Sequence, residues 1–262
     1  MIRDITIGQF YPTDSVMHRL DARMKLIGVL VYLVSLFCFR SFWGLAVSGV
    51  FFILVFKLSK VPFRFVVRGL KPILFLLLFT AVLNLLWTPG HTLWHFGIFH
   101  LTREGIYKCL FMTFRFILLV LGSSLLTLTT TPNQLTDAIE SLLGPMKRFG
   151  VPAHELAMMM SIALRFIPIL LEETDKIMKA QMSRCADFET GNLIRRLRNM
   201  VPLLVPLFVS ATRRAGELAY AMDARCYHGG EGRTKMKPLR YQARDIRAYL
   251  VLVAYIAVLI VV

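Results

Sequence analysis

Acidic side chains are scarce in this chain, with 16 Asp and Glu set against 31 Lys and Arg among 262 residues, for a net charge of +15. The few carboxylates lie outside the apolar runs, so the dense intramembrane set that an ion-coupled pump uses is missing. No G-x-x-x-x-G-K-[ST] stretch is present to cradle nucleotide phosphates, so any ATP hydrolysis has to be supplied by a partner. Cysteine is limited to Cys38, Cys109, Cys185 and Cys226, scattered and without metal-type spacing or a disulfide framework, which predicts a reducing cytosolic face. The first 23 residues lack a basic segment running at once into an apolar stretch and a small-residue cleavage site. No cleavable signal peptide is expected, and the spans themselves direct insertion. The surplus of cations comes without a base-reading motif, so nucleic acid is excluded as a partner and anionic lipid headgroups are favoured.

What is abundant is apolar surface, at 56% of residues. Apolar runs occupy about 24–39, 41–56, 72–87, 106–129 and 246–262, which predicts an all-α polytopic membrane protein with about five transmembrane helices. Lys and Arg set the orientation. Arg3, Arg19, Arg23 and Lys25 precede the first run, and Lys57, Lys60, Arg64, Arg68 and Lys71 fill the second polar connection. The turn at Arg40 and the loop from Thr88 to Arg103 hold one arginine each. The positive-inside rule then puts the N-terminus, the 57–71 connection and 131–245 in the cytoplasm and the C-terminus outside. Three parts are expected: a four-span domain over 1–130, a cytoplasmic domain of long amphipathic helices over 131–245, and a C-terminal span over 246–262.

The 131–245 region is too polar to span repeatedly and too apolar for a solvated loop. Thr131-Pro132-Asn133 opens a short helix, with Asp137 and Glu140 early and Lys147 and Arg148 at its end. Gly150-Val151-Pro152 breaks it. A second helix starts near Ala153, with Leu156, Met159, Met160, Ala163, Phe166, Ile167 and Leu170 at helical spacing and a kink expected at Pro168. A third is expected from about Leu193 to Tyr227, bent by Pro202 and Pro206, with Gly191 and Gly229-Gly230 as terminators.

Two small-Arg-Cys triplets, Ser183-Arg184-Cys185 and Ala224-Arg225-Cys226, close the second and third helices. At about 100° per residue, Arg184 falls near the face of Ile177 and Ala180, and Arg225 near that of Leu218 and Ala221. The small flanking residues let another backbone approach while a guanidinium reaches a carboxylate or carbonyl in forked geometry. One arginine at a helix C-terminus is explained by the helix dipole alone. The repeat on successive helices points instead to paired docking sites.

These residues carry a resemblance over nearly the whole chain. Ala163-Leu164-Arg165-Phe166-Ile167-Pro168, Glu155-Leu156-Ala157-Met158-Met159, Lys179-Ala180-Gln181, Val201-Pro202-Leu203-Leu204-Val205-Pro206-Leu207 and Ala221-Met222-Asp223-Ala224-Arg225 resemble the transmembrane T component of energy-coupling factor transporters, ABC-type importers of vitamins and related micronutrients. The resemblance implies a non-catalytic subunit of a bacterial or archaeal plasma membrane. It implies two cytosolic ABC-type ATPases, which bind the ATP and Mg, docked at Arg184 and Arg225, and a separate substrate-binding integral membrane S component that moves with the coupling helices. The family commonly has glycine after each arginine, where this sequence has Cys185 and Cys226. A left-handed helix end at either place would have to be carried by cysteine.

Other polar residues allow two readings. His91, His95 and His100 could ligate a metal, although they lack ordered spacing and companion carboxylates, or could be interfacial histidines. Glu104, Lys108 and Arg115 could line a subunit interface, or Lys108 could snorkel while Arg115 makes a buried polar contact. Met158, Met159 and Met160 suit either a sliding surface or ordinary packing. A secondary transporter would require a midplane site, and a membrane enzyme built on His91 and His95 a convergent acid, base and nucleophile; neither is visible.

Overall fold

The computed structural model describes residues 10–39, 41–88, 92–96, 99–150, 152–186, 188, 199–230, 236 and 239–261. The helices are α1 (Ala22–Cys38), α2 (Phe42–Ser59), α3 (Phe63–Arg68), α4 (Leu74–Trp87), α5 (Arg103–Thr129), α6 (Pro132–Leu143), α7 (Ala153–Met182), α8 (Val201–Asp223) and α9 (Ala243–Val261). Between α4 and α5 a hairpin of β1 (Thr92–Phe96) and β2 (Phe99–Thr102) pairs antiparallel, an addition to the helical architecture where the sequence suggested only a loop. His95 and His100 are backbone partners across it, and His91 lies outside the described residues.

The chain is an all-α polytopic membrane protein. Among the described residues four segments are long and apolar enough to cross a bilayer: Phe42–Ser59, Phe63–Leu85, Arg103–Thr129 and Ala153–Met182. Three coincide with runs read from the sequence. Helix α1 has 17 residues, and α9 opens with Arg244, Asp245 and Arg247, so both fall outside this set. Helix α7, read from sequence as part of the polar region, falls inside it.

Two compact units divide the chain, one holding Ile7–Ala138 with Leu239–Val262 and the other Ile139–Pro238. In the first, α5 is the axis, packed by α1, α2, α3 and α4, while α9 lies against α1 and α2. Leu36, Phe52, Val66, Leu121, Leu125, Leu128 and Leu252 form its core. Polar groups inside are tied to helix ends. The buried Lys25 ammonium donates to the carbonyls of His18 (3.2 Å) and Thr129 (2.9 Å), the latter an orphan acceptor at the C-terminus of α5. Arg115, buried midway along α5, donates from Nη2 to Phe39 O at 2.5 Å, closing the end of α1, and lies over the Phe111 ring at 4.5 Å. It makes the buried polar contact; Lys108 is exposed.

Three helices meet at one hydroxyl. Tyr255 Oη of α9 is 2.8 Å from Ser35 Oγ of α1 and 3.0 Å from Ser48 Oγ of α2, with its ring stacked on Phe51 at 4.2 Å. Ser35 and Ser48 also reach their own helix carbonyls, Tyr32 O and Gly44 O. A single phenolic proton cannot serve both serines, so one of them turns its own proton to the tyrosine. Tyr255→Phe keeps the stack and removes both hydroxyl contacts; a loss of about 1 kcal/mol is expected, read as a lowered melting temperature in detergent.

The 131–245 region departs from expectation where its first helix ends. Helix α6 opens with a reciprocal capping box, Gln134 N donating to Thr131 Oγ1 (3.3 Å) and Thr131 N to Gln134 Oε1 (3.2 Å). It ends at Leu143 instead of running to Arg148, because Gly144-Pro145 interrupts the ladder and the chain continues as a 3-10 turn over Gly144–Phe149. The described part of the third helix begins with Asn199 helical and a turn at Met200. Pro202 follows in the first turn of α8, where its missing N–H is harmless. Gly191 and 193–198 lie outside the described residues. Pro168 and Pro206 do lie inside α7 and α8, each of which continues through its proline.

Candidate functional site

Helices α7 and α8 are partners, and three contacts fix their sense. Gln181 Nε2 near the end of α7 donates to Pro202 O at the start of α8 (3.4 Å). Midway, Arg214 Nη2 meets Glu173 Oε2 at 3.0 Å. At the far end, Gly230 lies so close to the ring of His154 that an added Cβ would collide with it. As one helix number rises the other falls, so the pair is antiparallel. Each triplet closes one helix, so Arg184 and Arg225 lie at opposite ends of the pair. With 23 residues in α8, that separation is on the order of 30 Å.

The two tips are built alike. At the end of α7, Cys185 N donates to Met182 O and Ala186 N to Gln181 O, both at 3.0 Å, and Cys185 has φ 63°. At the end of α8, Cys226 N donates to Asp223 O (2.9 Å) and Tyr227 N to Met222 O (3.1 Å), with Cys226 at φ 54°. Both are Schellman closures, the 5→2 and 6→1 bonds around one left-handed residue. The left-handed position survives although cysteine occupies it in both helices. A side chain there costs roughly 1–2 kcal/mol relative to the right-handed conformation, strain that the paired closing bonds offset.

All six triplet residues, Ser183, Arg184, Cys185, Ala224, Arg225 and Cys226, are exposed. Ser183 Oγ turns back to Lys179 O (3.1 Å), and the closing amides occupy the last helical carbonyls. Neither Arg184 nor Arg225 has a hydrogen bond or ion pair among the described residues, so both guanidinium forks point outward with all donors available. The apolar stripes do not stay buried up to the tips: Ile177 and Leu218 are half-buried, whereas Ala180 and Ala221 are exposed. Met159 and Met160 are also exposed, at 57% and 42%, and so do not pack inside this chain. Among the described residues no group of three His, Cys, Asp or Glu is placed to hold a metal.

Sequence reasoning missed the fixings of the helix pair. Glu173 and Arg214 are 41 residues apart, and no local period connects them. His154, which meets Glu140 Oε1 through Nδ1 at 3.0 Å and also braces Gly230, looked like any helical histidine.

Residues 13–236, which include both triplets, match the CbiQ family, described as cobalt transport protein. The chain belongs to that family. Its relatives include proteins named energy-coupling factor transporter transmembrane protein EcfT. The one from Thermosediminibacter oceani is 54% identical over 249 residues, covering 95% of this chain and 94% of the relative. Those from Acidaminococcus fermentans and Bacillus subtilis are 52% and 47% identical, each covering 99% of this chain and 97% and 98% of the relative. Together with the membrane-crossing helices, these relatives make the chain a multi-pass T-type transporter component of a bacterial cell membrane.

Relief of the left-handed strain is measurable. Cys185→Gly and Cys226→Gly are each expected to leave stability unchanged or raise it by up to about 1 kcal/mol, whereas the β-branched Cys185→Val and Cys226→Val lower it by about 1–2 kcal/mol. Thermal unfolding of the four variants in one detergent checks this; valine as stable as glycine would contradict the left-handed assignment.

Proposed function

We propose that the chain is the scaffold and force-transmitting subunit of an ATP-driven importer for vitamins or related micronutrients. Two cytosolic ABC-type ATPases, which bind the ATP and Mg, dock at the Ser183-Arg184-Cys185 and Ala224-Arg225-Cys226 tips. A separate substrate-binding integral membrane S component is reoriented as α7 and α8 move. The subunit itself is non-catalytic, and 131–245 faces the cytoplasm.

The observation that carries this reading is the duplication: two arginines without an ion pair among the described residues, on like helix closures at opposite ends of one antiparallel pair. A single soluble domain of ordinary size would have to span on the order of 30 Å to hold both, whereas two copies of one domain can each take one. Each tip offers what a groove on a soluble partner needs, a forked cation on a short, rigid end with small neighbours. The Glu173–Arg214 pair and the Gln181–Pro202 bond hold the helices in register, so displacement of one tip is passed to the other helix.

The test is paired substitution. Arg184→Ala or Arg225→Ala removes a charge-assisted contact, which costs about 2–5 kcal/mol when the partner charge stays buried. Each single variant is expected to lower the amount of copurified ATPase, and the double variant to abolish it together with uptake, with membrane insertion unchanged. Normal uptake and full ATPase recovery in the double variant would refute the assignment.

A further inference from the structure

The first unit contains a cavity of about 290 Å³ between α1, α2, α5 and α9. It is roughly twice the size of a dry apolar cavity of about 150 Å³ that accepts benzene. Its wall is almost wholly hydrocarbon and aromatic, including Tyr32, Phe51, Phe52, Leu125 and Leu252, with Gly28 contributing no side chain. Leu58 and Val251 line it and stay 52% and 57% exposed, so it opens onto the surface of the unit. Arg244 and Arg247 also line it, both on the first turns of α9 and both exposed.

The exposed guanidiniums at this opening make no ion pair among the described residues. Two acids lie nearby: Asp21 Oδ1 caps the amide of Arg23 (2.9 Å) and lies 3.9 Å from its Nε, and Asp245 is buried with Oδ1 on the amide of Asp21 (2.9 Å) and Oδ2 on that of Gln242 (2.8 Å). Lys25 is buried and engaged by two carbonyls. Arg244 bonds only the neutral side chain of Gln242, and Arg247 has no ion pair among the described residues. Two exposed guanidiniums thus stand over an apolar slot with no ion pair among the described residues and with donors left for a further acceptor. A molecule complementary to both parts has an anionic, phosphate-like head and a hydrocarbon tail.

We propose that this cavity is a specific site for an anionic phospholipid, one acyl chain entering between α1, α2, α5 and α9 and the phosphate held by Arg244 and Arg247. The guanidinium fork matches two phosphate oxygens, and two charges near a membrane surface favour an anionic over a zwitterionic headgroup by about tenfold or more. The occupant would fill space that the helices leave empty and brace α9 against α1 and α2. This site is independent of the docking role assigned to Arg184 and Arg225.

The experiment is a titration of the full chain in mild detergent, read by native mass spectrometry and by thermal unfolding, with phosphatidylglycerol, phosphatidylcholine and glycerol 3-phosphate as separate probes. Phosphatidylglycerol is expected to bind about tenfold or more tighter than phosphatidylcholine and to raise the melting temperature. Glycerol 3-phosphate, lacking the tail, is expected to do neither. Arg244→Gln with Arg247→Gln changes only exposed side chains and is expected to erase the preference; Gly28→Leu, which fills the slot, is expected to weaken both lipids. Equal binding of the two lipids, a preference that survives the double Gln variant, or stabilisation by glycerol 3-phosphate alone would overturn the proposal. So would a protein partner that copurifies on this face and that phosphatidylglycerol fails to displace.

Discussion

An open carbonyl has no partner in hydrocarbon, so a helical membrane protein is shaped by how each helix end is closed. In this chain the closures are made by side chains from other helices or by tight local turns. Lys25 of α1 closes α5 at Thr129, and Arg115 of α5 closes α1 at Phe39. That exchange fixes the two helices antiparallel, with 14 residues between the anchors on each. Asp245 holds the amides of Asp21 and Gln242 and so ties the starts of α1 and α9. The cations that interrupt the apolar pattern are therefore structural. Removing one would leave a buried carbonyl without a donor, which costs more than the bond itself contributes.

The same constraint gives the triplets their meaning. At the ends of α7 and α8 the carbonyls are closed by backbone amides turning through a left-handed residue. Backbone closure relieves the arginines of the capping role that usually explains a cation at a helix C-terminus. Among the described residues the Arg184 and Arg225 guanidiniums have no partner, and the dipole explanation that suffices for a lone arginine loses its force.

Much of this was legible from the sequence because it rests on local period and composition. The apolar runs near α1, α2, α4, α5 and α9 follow from hydropathy, and the break after α6, the start of α7 at Ala153 and both triplets follow from Gly, Pro and small-residue spacing. What was not legible depends on partners far along the chain. Residues 25 and 129, 115 and 39, or 173 and 214 meet only after folding. A proline in an apolar run reads equally as a bend or as a first turn, and at Pro202 the structure shows a first turn that follows a turn at Met200. The cysteines at φ 63° and 54° were unreadable for a different reason: propensity argues for glycine there, and hydrogen bonds on both sides override it.

Helix α7 shows why composition cannot assign a helix to the bilayer. It contains a stretch apolar and long enough to cross a bilayer, yet the apolar half runs to Leu171 and the rest carries Glu172, Glu173, Asp175, Lys176 and Lys179. Only Ala153 and Ala157 are buried in it, so most of its apolar surface is uncovered by this chain. Leu204, Val205, Phe208 and Tyr220 leave α8 in the same condition. Soluble monomers rarely expose so much contiguous apolar surface. A charged, tightly closed tip on a helix with an uncovered apolar flank has two different neighbours to satisfy, one polar at its end and one apolar along its side. On the function proposed above, an antiparallel pair carrying such tips at opposite ends connects soluble partners with hydrocarbon or with another membrane protein.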